Sequence, residues 1–471
     1  MPQFNRRQFI FFLVIFGAIR LFSFWFSPQT PLFPEHWLNQ FVALLYLAIV
    51  AYYLNKKNLV GWYLIACEII LGGGGGYFSI NGVSLRTSLL ITSILIFLLQ
   101  NIKDLKLKIN NYKTQFQIFN LQSSILLLFV IAIFSTIIGF VNKHNFGNII
   151  SDLIPYCFLF YYFPLKKLWA DEKFKKTAFN LLVATIVGNF LIIIITFIGY
   201  SSGLMVLQDY FYHWFRDVAG GKITTLPFHY FRLTLNEHLL LVPILLLTLY
   251  KIITKQKSFW WLATPLLIIL PFNLTRIYFL ALVVGSLTLL RKHNLKIWLK
   301  TMAIAFVIFM SALTVFHYSA SGGKSFGWEL LGLRLQSIAT PQIEDSSLSR
   351  MLLFPKIIEK IKSTPIFGTG LGDMVTVYSP VFKQEITTPH FDWGYLEIWA
   401  EMGFIGLLIW GLFIGNIFAK IQKKSFAISM LTALMVINLT SPALFHVLGI
   451  ILLIAIICHC DPPEAEKQSL R

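Results

Sequence analysis

The chain has 471 residues, of which 56% are hydrophobic and only 13% are charged, and its mean hydropathy is +0.71. About a quarter of the residues in a soluble globular protein are charged, so this composition excludes a soluble globule and indicates a polytopic membrane protein. Most of the formal net charge of +18 lies in short turns between apolar segments, where basic residues orient helices and contact anionic lipids. We therefore expect membrane lipids, and not nucleic acid, as partners.

Apolar runs follow one another along most of the chain. A helix needs about 17–25 residues to cross a hydrocarbon layer of about 30 Å, and several runs are short enough to be re-entrant or broken. The sequence predicts an all-α transmembrane bundle of about 12–14 helices, forming a single integral membrane domain over residues 1–471. The runs are 9–26, 38–54, 59–78, 85–101, 119–141, 149–163, 178–200, 237–250, 259–272, 275–290, 301–318, 394–416, 425–440 and 442–458.

The basic residues predict the topology independently. With a cytoplasmic N-terminus, the clusters that begin at Arg6, Lys56, Lys166 and Lys420 all fall on the cytoplasmic side, as the positive-inside rule requires. The C-terminus is then cytoplasmic as well. Residues 319–393 become a large extracytoplasmic loop between transmembrane helices.

The composition of this loop predicts that it is partly helical. Residues 327–338 and 349–364 carry apolar side chains at helical spacing beside Lys, Arg and Glu. This pattern is typical of helices that lie on a membrane surface or cap a bundle. We expect a small ordered cap over one face of the membrane domain.

Two glycine-rich runs, 72–76 and 368–373, lack the preceding strand and following helix that a phosphate-binding loop requires. We interpret the first as a flexible or closely packed helix end. The second is interpreted as a tight turn beside a ligand, where glycine lets the backbone approach closely. The four cysteines give no disulfide framework, no residues show the spacing of a metal site, and neither a metal nor another cofactor is predicted.

Charged residues also occur where the topology does not explain them. Glu397 and Glu401 enter an apolar segment just after a polar patch that contains His390 and Asp392, and charges at a membrane face are usually functional. Several arginines fall on the outer side, against the charge bias, where a positive charge needs an anion. These include Arg20, Arg86, Arg216, Arg232, Arg276 and Arg350.

Four segments, in this order, resemble the bacterial O-antigen ligase and polysaccharide polymerase superfamily over roughly residues 225–410. Its members are membrane glycosyltransferases that act on glycans carried by undecaprenyl diphosphate. The segments are FRLTLNEH (231–238), with an arginine and then an asparagine at the head of a helix; LTRIYFLAL (274–282), with threonine in place of serine before the arginine; SRMLLFPKIIEKIKSTPIFGTGLG (349–372), an arginine-led helix that ends in a Pro-x-x-Gly-x-Gly turn; and DWGYLEIWAEMGFIG (392–406), with Tyr-Leu followed by Glu-x-Gly-x-x-Gly.

The resemblance implies a metal-independent glycosyltransferase on the outer face of the bacterial cytoplasmic membrane. Its partners would be an undecaprenyl-diphosphate-linked glycan and an acceptor that is either a glycan or a lipid A core. Asp392 or His390 would accept the proton of the acceptor hydroxyl. Guanidinium groups pair with phosphate oxygens, and those expected to bind the diphosphate belong to Arg216, Arg232, Arg276 and Arg350. The residues expected to support the site are Asn236, Tyr395, Glu401, Gly368 and Gly370.

One departure from the family pattern bears on the reaction. When the last segment is aligned on Tyr395 and Glu401, the His-Asn pair of the family falls on Asp392-Trp393, and the nearest histidine is His390. The resemblance implies that this histidine is functional in the ligases and more variable in the polymerases. The sequence therefore favours a polymerase, with a ligase that joins polysaccharide to lipid A core as the alternative.

Structural roles and a second class of function stay open. Arginines at helix starts can extend towards lipid headgroups, Asp392 can cap the following helix, and Tyr395 suits an interfacial aromatic belt. A flippase for lipid-linked oligosaccharide is the alternative outside the enzymes, since it also has about 12–14 helices and a basic cavity. Such transporters often contain two similar halves, and this sequence shows no such repeat.

The predicted topology can be tested by thiol labelling of residue 346. If residues 319–393 lie outside the cytoplasmic membrane, Ser346→Cys will react with a membrane-impermeant thiol reagent in cells with a permeable outer envelope. The parent chain, with its four native cysteines, gives the background. Labelling that requires rupture of the inner membrane would reverse the topology.

Overall fold

The computed structural model describes residues 4–27, 32–33, 35–101, 120–290, 294–340, 345–379, 383–389 and 391–460. Helices dominate this part of the chain, and three short antiparallel hairpins connect some of them. The helices are α1 Arg6–Trp25, α2 His36–Asn55, α3 Leu59–Leu71, α4 Leu85–Gln100, α5 Leu121–Val141, α6 Phe146–Phe158, α7 Tyr162–Leu168, α8 Glu172–Ser201, α9 Asp209–His213, α10 Leu241–Ile253, α11 Trp260–Asn273, α12 Arg276–Leu290, α13 Leu295–Ala320, α14 Trp328–Ala339, α15 Asp345–Ser363, α16 Gly394–Ile421, α17 Ser425–Ile437 and α18 Val447–Cys460. The strands are β1 Ser79–Ile80, β2 Val83–Ser84, β3 Lys222–Leu226, β4 Tyr230–Thr234, β5 Val375–Ser379 and β6 Gln384–Thr388.

The predicted all-α polytopic bundle is confirmed. Within the described residues, seven helical segments are long and apolar enough to cross a membrane: α1, α2, α5, α8, α13, α16 and the segment Asn236–Ile253. Shorter apolar helices pack among them. The chain is therefore a multi-pass membrane protein.

Several predicted runs are shorter or more broken than their apolar composition indicates. The run 59–78 is helical only to Leu71, and the run 149–163 divides into α6, a 3₁₀ turn at Leu159–Tyr161 and α7. Residues 321–393 connect α13 to α16 and contain α14, α15 and the β5–β6 hairpin. We call the end of the bundle that carries this connection the loop end.

Small side chains let some helices pack closely. The Ser429 hydroxyl of α17 donates to the Gly285 carbonyl of α12 at 2.7 Å, and a Cβ atom at Gly285 would contact Leu246 of α10. Small residues and interhelical hydrogen bonds replace the hydrophobic effect in holding membrane helices together. These contacts place α10, α12 and α17 in the main buried core.

Helix α16 is broken at Gly403, whose backbone angles are φ 69° and ψ −176°. This region of conformational space is almost restricted to glycine. Beyond the break, the amide groups of Phe404 and Ile405 donate to the carbonyl groups of Pro365 and Ile366, at 2.9 and 3.3 Å. These two amides are therefore satisfied outside their own helix.

The turn after α15 donates hydrogen bonds to the carbonyl groups that precede the break in α16. Because of the break, the carbonyl groups of Ala400 and Glu401 lose their usual partners four residues later, and they accept instead from the amides of Thr369 and Gly370, at 2.8 and 3.0 Å. A Cβ atom at Gly368 would collide with the Glu401 carbonyl group. The predicted tight turn is present, and an added Cβ atom would meet the backbone of α16 at Gly368 and that of α5 at Gly370.

Replacing the glycine at the break will destabilise the protein. Gly403→Ala forces an L side chain into a glycine-only conformation and towards the Ile366 carbonyl, and we expect a loss of about 1–3 kcal/mol or more. The matched control is Gly415→Ala in the same helix, where an added Cβ meets no atom within 4 Å. Thermal unfolding in detergent measures both variants, and equal melting temperatures would contradict a structural role for the break.

Candidate active site

The glycine run 72–76 follows α3 and forms a tightly packed turn inside the bundle. Side chains from distant parts of the chain donate to its carbonyl groups and to those at the end of α3. Of the two predicted forms, a flexible or a closely packed helix end, the structure shows the closely packed one. Gly73 and Gly74 have φ of 55° and 87°. Five side chains donate to backbone carbonyl groups here: Thr185 to that of Ile70, Arg20 to that of Leu71, Asn236 to that of Gly74, Arg86 to that of Gly75 and Asn39 to that of Tyr77.

A buried ion pair holds this turn in place. Arg20 Nη2 donates to Glu237 Oε1 at 2.6 Å, and the two side chains are only 5% and 1% exposed. The Arg20 guanidinium carbon also lies 3.3 Å from the centre of the Phe16 ring. A Cβ atom at Gly73 would collide with the Glu237 carboxylate. Charges inside a membrane protein require such partners, so Arg20 acts structurally.

A polar cavity of about 370 Å³ lies next to the turn. Four segments meet there: the start of α4, the middle of α6, the first two turns of α16 and the residues just before α18. Ionisable side chains from all four segments line it: Arg86, Asp152, Glu397, Glu401 and His446.

The three carboxyl groups of the cavity contact one another or nearby amides. Asp152 Oδ2 accepts the Gly372 amide at 2.9 Å, and the Asp152 carboxyl group lies within hydrogen-bonding range of that of Glu401. Glu397 accepts the Phe391 amide. Among the described residues, Glu397 Oε2 and Glu401 Oε1 are buried with no hydrogen-bond partner, which leaves acceptor capacity for a bound hydroxyl or water.

Arg86 supplies positive charge to the same cavity. Its Nη2 atom donates to the Gly75 carbonyl at 2.9 Å, which fixes the guanidinium group at the glycine turn. The charge also acts on His446 across the cavity. An arginine that is held in place at the wall of a cavity can bind an anion or a sugar hydroxyl without leaving its position.

Two of the arginines expected at the diphosphate meet near the start of α12. Arg232 of β4 donates to the Asn273 carbonyl at 2.8 Å and to the Thr275 hydroxyl at 3.0 Å. Arg276 donates to the Ser337 hydroxyl of α14 at 2.6 Å. The structure therefore brings Arg232 and Arg276 together at the loop end.

The other two arginines occupy different surroundings. Arg350 donates to the Thr440 carbonyl at 3.4 Å, and its buried Nε atom has no hydrogen-bond partner among the described residues. It thus lies beside the segment that leads to His446 and the polar cavity. Arg216 forms an exposed ion pair with Asp217 at 2.6 Å. The Arg216 guanidinium group lowers the pKa of the Asp217 carboxyl group.

The expected base Asp392 lies two residues before the start of α16, near the lining residue Glu397. Asp392 is partly buried, has a left-handed φ of 56°, and is close enough to Glu397 for their charges to interact. The N-cap position of α16 is Trp393, and no side chain caps it. His390 lies outside the described residues.

The residues expected to support the site have mainly structural contacts. The Tyr395 hydroxyl donates to the Met435 carbonyl at 2.8 Å. The Asn236 side chain donates to the carbonyl group of Gly74 in the glycine turn. Gly370, like Gly368, packs against backbone, in its case that of Gly139. Glu401 is the supporting residue that also lines the polar cavity.

Four lining residues were absent from the site expected from sequence. They were detectable in part: Arg86 goes against the charge bias, Glu397 lies at the start of an apolar helix, and Asp152 is a carboxylate inside an apolar run. His446 gave no signal. Within the described residues, no group of three or more His, Cys, Asp or Glu side chains is placed to hold a metal ion.

Comparison with known proteins gives one match. The family model described as O-antigen ligase matches residues 261–411, which include the first part of α16 with Glu397 and Glu401, and also Arg276 and Arg350. This confirms the predicted resemblance over that part of the chain and supports a membrane function of the O-antigen ligase or polymerase type. No curated protein and no solved structure matches the chain.

The buried ion pair can be tested with a double-mutant cycle. Arg20→Met leaves the Glu237 carboxylate buried without its cation, and we expect a loss of about 3–5 kcal/mol. Glu237→Gln in the Arg20→Met background should recover part of this loss, because it removes the unpaired charge. Arg216→Met, which breaks an exposed pair, should cost less than about 1 kcal/mol. Thermal unfolding and the amount of protein in the membrane fraction measure these effects. If the double variant loses as much stability as Arg20→Met and Glu237→Gln lose separately, added together, the two residues are not coupled.

Proposed function

We propose that the protein is a membrane glycosyltransferase that polymerises an undecaprenyl-diphosphate-linked oligosaccharide on the outer face of the bacterial cytoplasmic membrane. The observation that carries the proposal is the polar cavity inside the bundle, which combines Arg86 with three carboxyl groups, two of them in the segment that matches the O-antigen ligase family. Both termini are cytoplasmic in this proposal, and the loop end faces outwards.

The proposed chemistry requires a base and a site for the leaving group. The acceptor hydroxyl must lose a proton as it attacks the anomeric carbon, and the lipid diphosphate must be stabilised as it leaves with its growing negative charge. Asp392 is the proposed base, with His390 as the competing assignment. Glu397 and Glu401 have unused acceptor oxygens that can hold hydroxyl groups of the acceptor sugar.

Arginines at the loop end are proposed to bind the diphosphate. Arg350 has a buried Nε atom without a protein partner among the described residues, and it lies beside the wall of the cavity through Thr440. Arg232 and Arg276 provide two further guanidinium groups near α14. Arg216 is a weaker candidate, because Asp217 already neutralises it.

A polymerase is preferred to a ligase because of the last motif. Asp392-Trp393 stands where the ligases have His-Asn, so an acidic base would replace the ligase histidine. A ligase that uses lipid A core as acceptor is the second candidate. The two differ in the acceptor alone, and both use the same donor.

Reconstituted transfer tests the function and its base. The purified protein in liposomes, given undecaprenyl-diphosphate-linked oligosaccharide, should produce a ladder of longer lipid-linked glycans, and a chelator should not abolish it. Asp392→Asn should reduce the rate on the order of a hundredfold while donor binding persists, because an amide cannot accept the proton. His390→Gln should then have a small effect.

The outcomes of this experiment separate the candidates. A product that forms only with lipid A core as acceptor identifies a ligase. Near-normal transfer by both Asp392→Asn and His390→Gln would show that neither residue is the base. Glu397→Gln then tests a neighbouring carboxyl group as the base. Absence of any transfer, together with movement of the intact donor across the membrane, would favour the flippase and overturn the proposal.

A further inference from the structure

A second cavity, of about 270 Å³, shares no lining residue with the polar cavity among the described residues and is almost wholly apolar. Side chains of α3, α7, α8, α10, α17 and α18 line it. Leu240 and Leu448 line one end of the cavity, at the starts of α10 and α18. Lys251 and His459 line the other end, which lies opposite the loop end. An almost wholly apolar space of this kind suits a hydrocarbon chain.

Positive charge is concentrated at one end of this cavity. Lys175 and Lys251 line it beside His459, and the charge of Lys424 also acts on His459. Lys175 is paired with Glu172 at 2.6 Å, but the Glu172 side chain is 67% exposed. Such exposed pairs contribute little, so a phosphate group can compete for the lysine.

An unused hydrogen-bond donor lies in the same wall. The indole Nε1 of Trp169 is buried and has no hydrogen-bond partner among the described residues, and Trp169 lines the cavity near Lys175. A buried donor normally has a partner. An acceptor that enters with a bound molecule would supply one.

We propose that this cavity is a binding site for an anionic membrane phospholipid. One acyl chain occupies the apolar cavity, the phosphate group contacts Lys175 and Lys251, and an ester carbonyl group accepts from Trp169 Nε1. The charge complementarity selects an anionic headgroup, and the apolar length selects a lipid over a free phosphate. The site lies on the side where anionic lipid attracts basic residues in the predicted topology.

The bound lipid would join helices from separate parts of the chain. The lining residues include several from α3, α8 and α18, and the end of α3 and the start of α18 also border the glycine turn and the polar cavity. A ligand that binds only the folded bundle stabilises it, and the stabilisation grows with the logarithm of one plus the ratio of free ligand concentration to Kd. The proposal is independent of the glycosyl transfer reaction.

Lipid binding can be measured on the full chain in detergent. Cardiolipin or phosphatidylglycerol added in mixed micelles should raise the melting temperature, phosphatidylcholine should raise it less, and native mass spectrometry should show a retained anionic lipid. Lys251→Gln should weaken the binding of anionic lipid roughly tenfold or more, since it removes a charge-assisted contact. The control is Lys300→Gln, which changes an exposed lysine outside the cavity.

A second variant tests the apolar part of the site. Ala455→Phe fills the cavity without changing charge and should also abolish the lipid-dependent rise, whereas Ala18→Phe, at an exposed position of α1, should not. The proposal fails if Lys251→Gln and Ala455→Phe keep the parent response to anionic lipid. It also fails if phosphatidylcholine is as effective as cardiolipin, or if a polyisoprenyl phosphate binds here and phospholipids do not.

Discussion

Backbone hydrogen bonding away from water is the constraint on which this structure depends. A helix that stops inside a membrane leaves carbonyl and amide groups that only the protein can satisfy. At the end of α3, side chains such as Arg20 and Arg86 take this role. At the break of α16, residues 365–370 exchange hydrogen bonds with residues 400–405. Both solutions use glycine, because a Cβ atom would separate the partners.

The polar cavity exists because these helix ends meet. The starts of α4 and α16 and the segment before α18 all lie inside the bundle, and each brings a charged or titratable side chain: Arg86, Glu397 and His446. Asp152 joins them from α6, whose helix is itself interrupted after Phe158. Breaks in membrane helices commonly mark binding sites for this reason, and here the same residues that satisfy the backbone also create the charge of the cavity.

The sequence predicted the bundle well and the cavity only in part. Apolar runs depend on composition alone, so each predicted run contains a helix in the described residues, although some of these helices are shorter than the run. Glu401 was expected at the site and lines the cavity, and Asp392 lies close enough to the lining residue Glu397 for their charges to interact. Asp152 and Arg86 are separated from Glu401 by hundreds of residues in sequence, and no local pattern predicts such a contact. The tight turn at residues 368–370 was predicted, but its packing against α16 and α5 was not, because a sequence does not show which backbone a glycine will face.

The sequence by itself determined that the chain spans a membrane many times, which charges oppose the positive-inside bias, and that residues 261–411 resemble O-antigen ligases. These properties follow from composition, spacing and local motifs. Only the tertiary structure decided which charges are structural and which face a cavity. Arg20 and Arg86 are alike in sequence as arginines against the charge bias, yet Arg20 is neutralised by Glu237 and Arg86 lines open space. The difference arises from packing between distant helices, which fixes the partner and the solvent access of each charge.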